Sequence, residues 1–259
     1  MMEIRLIEAI DCHSHFDHGA VHDRNPEEPE LQLCVLPALR KQYQRVGIRK
    51  AAFSSFASVL STEEVIEENE YLSELSRKED WIYQWVVIDP GRQETFLQAE
   101  RMLSSPKCLG IKIHPSYHGY DIMECGDRIF EFANLKKAVV LMHPQHVEKM
   151  PSFADRYPDM KLIIAHLGTR AHIDAIRRAK HGNIYTDTSG KNSYLNNVVE
   201  RAVSEVGSEH ILFGTDTYSA AFQYGRILFA GITERDKENI LFRNALRLFP
   251  KLAEGNRAI

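Results

Sequence analysis

Five histidines and one aspartate carry the chemistry that this sequence can offer. The stretch Asp11-Cys12-His13-Ser14-His15 follows an apolar run, Leu6-Ile7 and Ala9-Ile10, and ends a first predicted strand. Side chains two apart on a strand share a face, with Cα atoms roughly 6.5 Å apart. Two imidazoles at that spacing can converge on one ion, because Zn–N bonds are about 2.0–2.1 Å long. Asp11 shares their parity and is expected behind them as an acceptor. Cys12 has the opposite parity and is expected in the layer outside the sheet. An isolated His-x-His pair is a weak motif, and further donors at equivalent places give it weight. Lys112 and His114 end a fourth predicted strand, His143 a fifth, His166 a sixth and Asp216 an eighth.

Strand ends can meet only if the strands share one sheet and one direction. Apolar runs predict strands at Ala51–Ser55, Trp81–Ile88, Leu109–Pro115, Ala138–Pro144, Lys161–Gly168, Asn183–Gly190 and His210–Asp216. Helical patterns lie between them: Leu39–Val46 stopped by Gly47, Ser61 to about Lys78, Phe96–Leu103, Ile122–Leu135, Val147–Tyr157 broken by Pro151, His172–Lys180 and Leu195–Val206. Ser61-Thr62-Glu63-Glu64 reads as a capping box. Ser219–Phe229 and Glu234–Phe249 close the chain, the latter interrupted near Asn244. Several strands are near-continuous apolar runs, as parallel strands covered on both faces require. Eight β/α units in 259 residues predict an α/β fold, a (β/α)8 TIM barrel forming a single domain over residues 1–259. A doubly wound open sheet would want a Gly-rich phosphate turn after strand one, and Asp11–His18 has none. The polar segment Asp23–Glu30 is a lid or a solvated crossover.

Composition bounds the partners. Net charge is 32 − 36 = −4, hydrophobic residues are 44% and charged residues 26%. That is an ordinary globular composition without the broad basic surface that nucleic acid demands. No apolar run approaches membrane-spanning length. Met1–Arg5 lacks the features of a signal peptide, so a cytoplasmic location is expected. Cys12, Cys34, Cys108 and Cys125 are scattered without a CxxC pair and are expected to be reduced thiols. His18, Tyr117, His118, Arg170, Lys191 and Tyr218 follow strand ends and are candidates for the rim. Asp187 ends strand seven and either pairs with Lys191 or faces the lumen. His22, His146 and His172 belong to no motif and are expected to be solvated.

The set His13-x-His15, His143, His166 and Gly214-Thr215-Asp216 resembles the amidohydrolase superfamily. Gly110–Pro115, Ile163–Gly168 and Ile211–Asp216 resemble its branch of aminocarboxymuconate-semialdehyde decarboxylase and related metal-dependent hydrolases. The resemblance implies metal ligation by His13, His15, His143 and Asp216, with His166 unligated and facing the reacting group. Asp216 and His166 are then the catalytic pair, while Lys112 and His114 bind substrate. Three imidazoles and a carboxylate suit one Zn²⁺ per chain. The alternative is a binuclear site bridged by a carboxylated Lys112. The leading expectation is metal-activated hydrolysis of a small amide, ester or lactone. The alternative is non-oxidative decarboxylation of a small unsaturated or aromatic acid. A deoxyribonuclease of the superfamily would carry a glutamate where this chain has Lys112, and a binding module would have no need of the whole donor set. The partner is a small molecule, with no nucleic acid and no membrane; the oligomeric state is not encoded in these motifs.

Overall fold

The computed structural model describes residues 6–18 and 33–254. His22 and the Asp23–Glu30 segment lie outside the described residues. Eight parallel strands form one sheet in sequential order: β1 (Ala9–Phe16), β2 (Ile48–Ser55), β3 (Ile82–Val87), β4 (Cys108–Ile113), β5 (Val139–Met142), β6 (Lys161–Ile164), β7 (Ile184–Asp187) and β8 (Ile211–Leu212). The sheet curls into the expected (β/α)8 barrel. Its seam is bridged by backbone bonds: Cys12 N–H to the Phe213 carbonyl at 2.9 Å, and the Thr215 and Asp216 N–H groups to the His13 carbonyl at 3.1 and 2.7 Å. Because these bonds follow β8, the loop that carries Asp216 is stitched directly to the strand that carries His13.

Alternation along the strands sorts two layers. Ile10, Cys12, Ala52, Trp85, Leu141, Ile163 and Leu212 fill the barrel interior, which Phe249 and Leu252 plug from below. Ile111, Ile113, Val140, Met142, Leu162 and Ile164 point outward under the helices. Burying each such side chain contributes roughly 1.5–3 kcal/mol.

Cys12 corrects the parity expectation. It faces inward with Trp85, whose indole N–H donates to the Cys12 carbonyl at 2.9 Å. The cause is a bulge in β1: Asp11 pairs with Ala51 but Ser14 with Phe53, so three steps on β1 match two on β2. The extra residue lets Cys12 enter the core while His13 still turns to the mouth. Asp11 is corrected for the same reason. It lies outside the barrel wall, accepting from the Tyr43 and Thr215 hydroxyls at 2.6 Å each and from the His13 backbone N–H at 3.0 Å. Burial raises its carboxyl to about 7 against these donors. Asp11 therefore holds the backbone of the bulge, not an imidazole ring.

Other boundaries moved for local reasons. Gly47 ends the helix Leu36–Val46 in a left-handed conformation, φ 78°, as its position promised. The capping box at Ser61 does not form. Ser55 instead caps a short helix, Phe56–Leu60, which buries Phe56 and Val59 directly after β2. Ser61 then ends that helix, and Val65–Lys78 starts later without a side-chain cap. A capping box does form at Thr233 and Asp236. The stretch expected as one helix divides just before Pro151: Val147–Lys149 is a 3-10 turn and Met150–Arg156 an α-helix, with Pro151 in its first turn, where no N–H is needed. The final helix is interrupted ahead of Asn244 by a π turn, Asn239–Arg243. Asn239 and Asn244 both bond to Ser208, at 2.9 and 2.7 Å, which ties that turn to the entry of β8. The four cysteines are free. No helix among the described residues is long and apolar enough to cross a membrane.

Candidate active site

The C-terminal strand ends open into a cavity of about 680 Å³ lined by His15, Lys112, His114, His143, His166 and Asp216. Val59, Leu60, Tyr117, Pro144 and Tyr218 add an apolar and aromatic side, and Lys191 and Asn192 complete the lining. His13 lies beneath, fully buried.

His13 and His15 are each held by a partner behind the ring. His13 Nδ1 is 3.0 Å from Asp187 Oδ2, so that nitrogen donates and Nε2 is bare. His15 Nδ1 is held by Ser54, 3.1 Å from its carbonyl and 3.0 Å from its hydroxyl, which leaves Nε2 turned to the mouth. These two nitrogens face one carboxylate: Asp216 Oδ1 is 3.3 Å from His15 Nε2 and 3.9 Å from His13 Nε2. The donor atoms of His13, His15 and Asp216 lie within 4.8 Å of one another. The Lys112 ammonium is 2.9 Å from His13 Nε2 and wholly buried.

His143 stands outside that tight group. Its ring stacks on His114 with centroids 4.0 Å apart and lies 5.3 Å from His166. Its Nδ1 is buried without a hydrogen-bond partner, so this imidazole has an unspent nitrogen. His114 Nδ1 accepts the Tyr117 backbone N–H at 3.3 Å. His166 stacks on His13 with centroids 4.9 Å apart and contacts Ser189 through Nδ1, 3.0 Å from the hydroxyl and 3.3 Å from the carbonyl.

Electrostatics keep the imidazoles neutral. Burial and the Lys112 ammonium push His13 down to about 4 and His143 to about 3. Burial takes His15 to about 3 despite the pull of Asp216. Burial works against the Asp216 and Asp187 carboxylates, yet their histidine partners hold both well below the usual range. The mouth thus combines neutral nitrogen donors with ionised carboxylates, the protonation states that metal ligation requires.

Two backbone positions show how the site is shaped. His166 and Asp216 adopt left-handed conformations, φ 63° and 51°, which cost of order 1–3 kcal/mol each and persist only where surroundings enforce them. At His166 the turn lets consecutive residues both face inward, since Ala165 fills the barrel core. At Gly190, φ 81°, a Cβ would lie 2.6 Å from His166 Nδ1, so only glycine lets the loop after β7 back this ring.

Of the rim candidates, Tyr117, Lys191 and Tyr218 line the cavity. His118 instead bonds the Ser58 carbonyl at 3.0 Å. His18 stacks on Tyr71 at 3.4 Å. Arg170 leaves the rim for an exposed network with Asp174 and Glu205. His146 is exposed and pairs with Asp121. His172 is corrected: it is 3% exposed and bonds the Ala165 carbonyl and Thr169 hydroxyl at 3.1 and 2.9 Å. Asp187 pairs with His13, not with Lys191. Ser54, Ser189 and Gly190 went unnoticed in the sequence; the Asp187-Thr188-Ser189-Gly190 run at a strand end was the one signal for the last two, and Ser54 had none.

The structure is similar to solved decarboxylases at low sequence identity. A dihydroxybenzoic acid decarboxylase from Polaromonas, with bound manganese and 2-nitroresorcinol, superposes with TM-score 0.75 and 17% identity over 96% of this chain and 99% of that one. A 5-carboxyvanillate decarboxylase from Novosphingobium aromaticivorans, complexed with manganese and 4-hydroxy-3-methoxy-5-nitrobenzoic acid, gives TM-score 0.74 and 13% identity over 94% and 96%. Its counterpart from Sphingomonas paucimobilis gives 0.71 and 13% over 94% and 99%. No curated protein sequence matches the chain significantly. The amidohydrolase profile matches residues 10–251, nearly the whole length over which the eight strand ends and their histidines were traced, and the chain belongs to the amidohydrolase family.

Proposed function

We propose that this chain is a divalent-metal-dependent decarboxylase of a small hydroxylated aromatic or unsaturated acid. The observation that carries the reading is the character of the cavity wall: two lysines stand against one carboxylate, among neutral imidazoles and beside an apolar flank. Such a wall suits a flat organic anion. The decarboxylase neighbours support the same choice over hydrolysis, which uses the same residue types.

In this reading His13, His15 and Asp216 hold the metal, and His143 is the fourth ligand. The fit rests on the donor atoms of His13, His15 and Asp216, which lie within 4.8 Å of one another, and on the unspent His143 nitrogen. Nitrogen and carboxylate donors accept Zn²⁺ or Mn²⁺, so one ion per chain is proposed without preference between them. A bound ion would supply Lewis acidity to a substrate oxygen. Lys112 and His114 bind and orient the carboxylate. The apolar flank excludes water and so strengthens these charge contacts. His166 and Asp216 carry the proton. One proton is added at the carbon that bears the carboxylate, the C–C bond breaks with its electron pair returning to the ring, and carbon dioxide leaves.

The test is carbon dioxide release from 2,6-dihydroxybenzoate, 5-carboxyvanillate and related hydroxybenzoates. Chelated protein and protein reloaded with Mn²⁺ or Zn²⁺ are compared. Metal-dependent release is expected. Ring opening of lactones or cleavage of amides, with no carbon dioxide from any acid, would return the assignment to hydrolysis.

A further inference from the structure

The Asp187 carboxylate is wholly buried and receives four donors. Its Oδ2 faces His13 Nδ1 at 3.0 Å. Its Oδ1 takes the His166 and Ser189 backbone N–H groups at 3.2 and 2.9 Å, and the Ser189 hydroxyl as well. An ionised carboxylate only accepts, so every group turned toward it must give a proton. That rule runs through two rings. His13 must carry its proton on Nδ1. Ser189 spends its own proton on Asp187, so toward His166 Nδ1, 3.0 Å away, its oxygen can only accept. The Ser189 carbonyl, 3.3 Å from the same nitrogen, accepts too. His166 must therefore also carry its proton on Nδ1. Gly190 lets the loop approach closely enough for this contact, since a Cβ there would lie 2.6 Å from His166 Nδ1.

We infer that Asp187 is a positioning residue that fixes the tautomers of both His13 and His166, directly for the first and through Ser189 for the second. One buried carboxylate thereby turns two unprotonated Nε2 atoms toward the mouth, that of His13 beside the Lys112 ammonium at 2.9 Å for the metal and that of His166 for the proton. The metal part of this role rests on the function proposed above; the tautomer part does not.

Asp187→Asn keeps the shape but exchanges one accepting oxygen for an NH₂ that only donates. Three donors meet Oδ1 and one meets Oδ2, so the amide keeps its oxygen toward Ser189 and His166. Its NH₂ then faces His13 and drives that ring to the Nε2–H form. The experiment is ¹⁵N NMR of ring-labelled histidines in the chelated protein at pH 8.5. His13 and His166 are assigned from the His13→Gln and His166→Gln spectra. Nδ1–H is expected on both rings of the wild type, a switch of His13 to Nε2–H in Asp187→Asn, and an unchanged His13 in Ser189→Ala. Mn²⁺ is then titrated calorimetrically into the same proteins. Ser189→Ala should bind like the wild type, and Asp187→Asn about 10–100-fold more weakly.

Nε2–H on either wild-type ring, or an unchanged His13 in Asp187→Asn, overturns the inference. If Asp187→Asn does not fold, the wild-type spectrum and the Ser189→Ala spectrum decide by the same criteria. If the tautomers come out as stated but the wild type takes up no Mn²⁺, the proposed function fails and this inference stands. Equal Mn²⁺ affinity in wild type and Asp187→Asn with unchanged tautomers fails the inference alone.

Discussion

Gly190→Ala tests how far the site depends on one backbone approach. Two costs add. Gly190 has φ 81°, and an L-residue held there loses roughly 1–2 kcal/mol. The new Cβ would lie 2.6 Å from His166 Nδ1, 3.2 Å from Cε1 and 3.3 Å from Cγ, all atoms of a ring with a fixed role. The ring must swing away, and its bond to Ser189 is lost for a further 0.5–1.5 kcal/mol or so. The sum, about 1.5–3.5 kcal/mol, lowers Tm by roughly 3–14 °C in a chain of this size. Turnover should fall further than stability, because a displacement near 1 Å costs about 10²-fold. Gly119→Ala is the control: φ is 70°, but a Cβ there meets nothing within 4 Å. It should carry the backbone cost alone. Urea unfolding, metal content and carbon dioxide release are measured on both variants. Gly190→Ala should keep its metal and lose turnover; equal turnover in the two variants would show that the His166 ring does not depend on the close approach at Gly190.

Three other outcomes follow from the same geometry. Asp216→Asn should fold, hold metal more weakly and lose at least 10²–10⁴ in turnover, the usual worth of a proton carrier; near-normal turnover at saturating metal would make Asp216 a structural acid. His166→Ala should keep the metal and lose activity, as read by elemental analysis beside the rate; metal loss would make His166 a ligand. Burial lowers the His172 and His118 imidazoles, so each binds a proton more readily when unfolded, near 6.5. Their contribution is therefore complete above about pH 6.5 and declines below it, by up to about 1.4 kcal/mol per pH unit for each. The urea midpoint should fall between pH 7.5 and 5.5, and His172→Gln should show a shallower fall; an identical slope would show that His172 does not titrate on unfolding.

Periodicity exposed the barrel because each strand end was marked by an apolar run followed by a polar residue. Lys112, His114, His143 and His166 were legible on that basis, and the cavity brings all four together. Asp11 and Cys12 were misplaced because parity assumes a regular strand. The β1 bulge depends on pairing with β2, which no local pattern reports. His172 looked solvated because its partner, the Ala165 carbonyl, is a backbone atom supplied by the fold. Ser54 and Ser189 escaped notice for a similar reason. A serine announces no chemistry until the ring it supports has been located. The capping box at Ser61 failed because burying Phe56 and Val59 started a helix earlier than the cap could.

In the proposed function, His13, His15 and Asp216, with His143, hold one divalent ion at the seam between β1 and the loop after β8. Anomalous scattering from crystals of the chelated protein soaked in MnCl₂ tests it directly. One peak is expected within bonding distance of His13 Nε2, His15 Nε2 and an Asp216 oxygen, absent in crystals of His15→Ala. No peak at that position, or a second ion bridged by a modified Lys112, would contradict it.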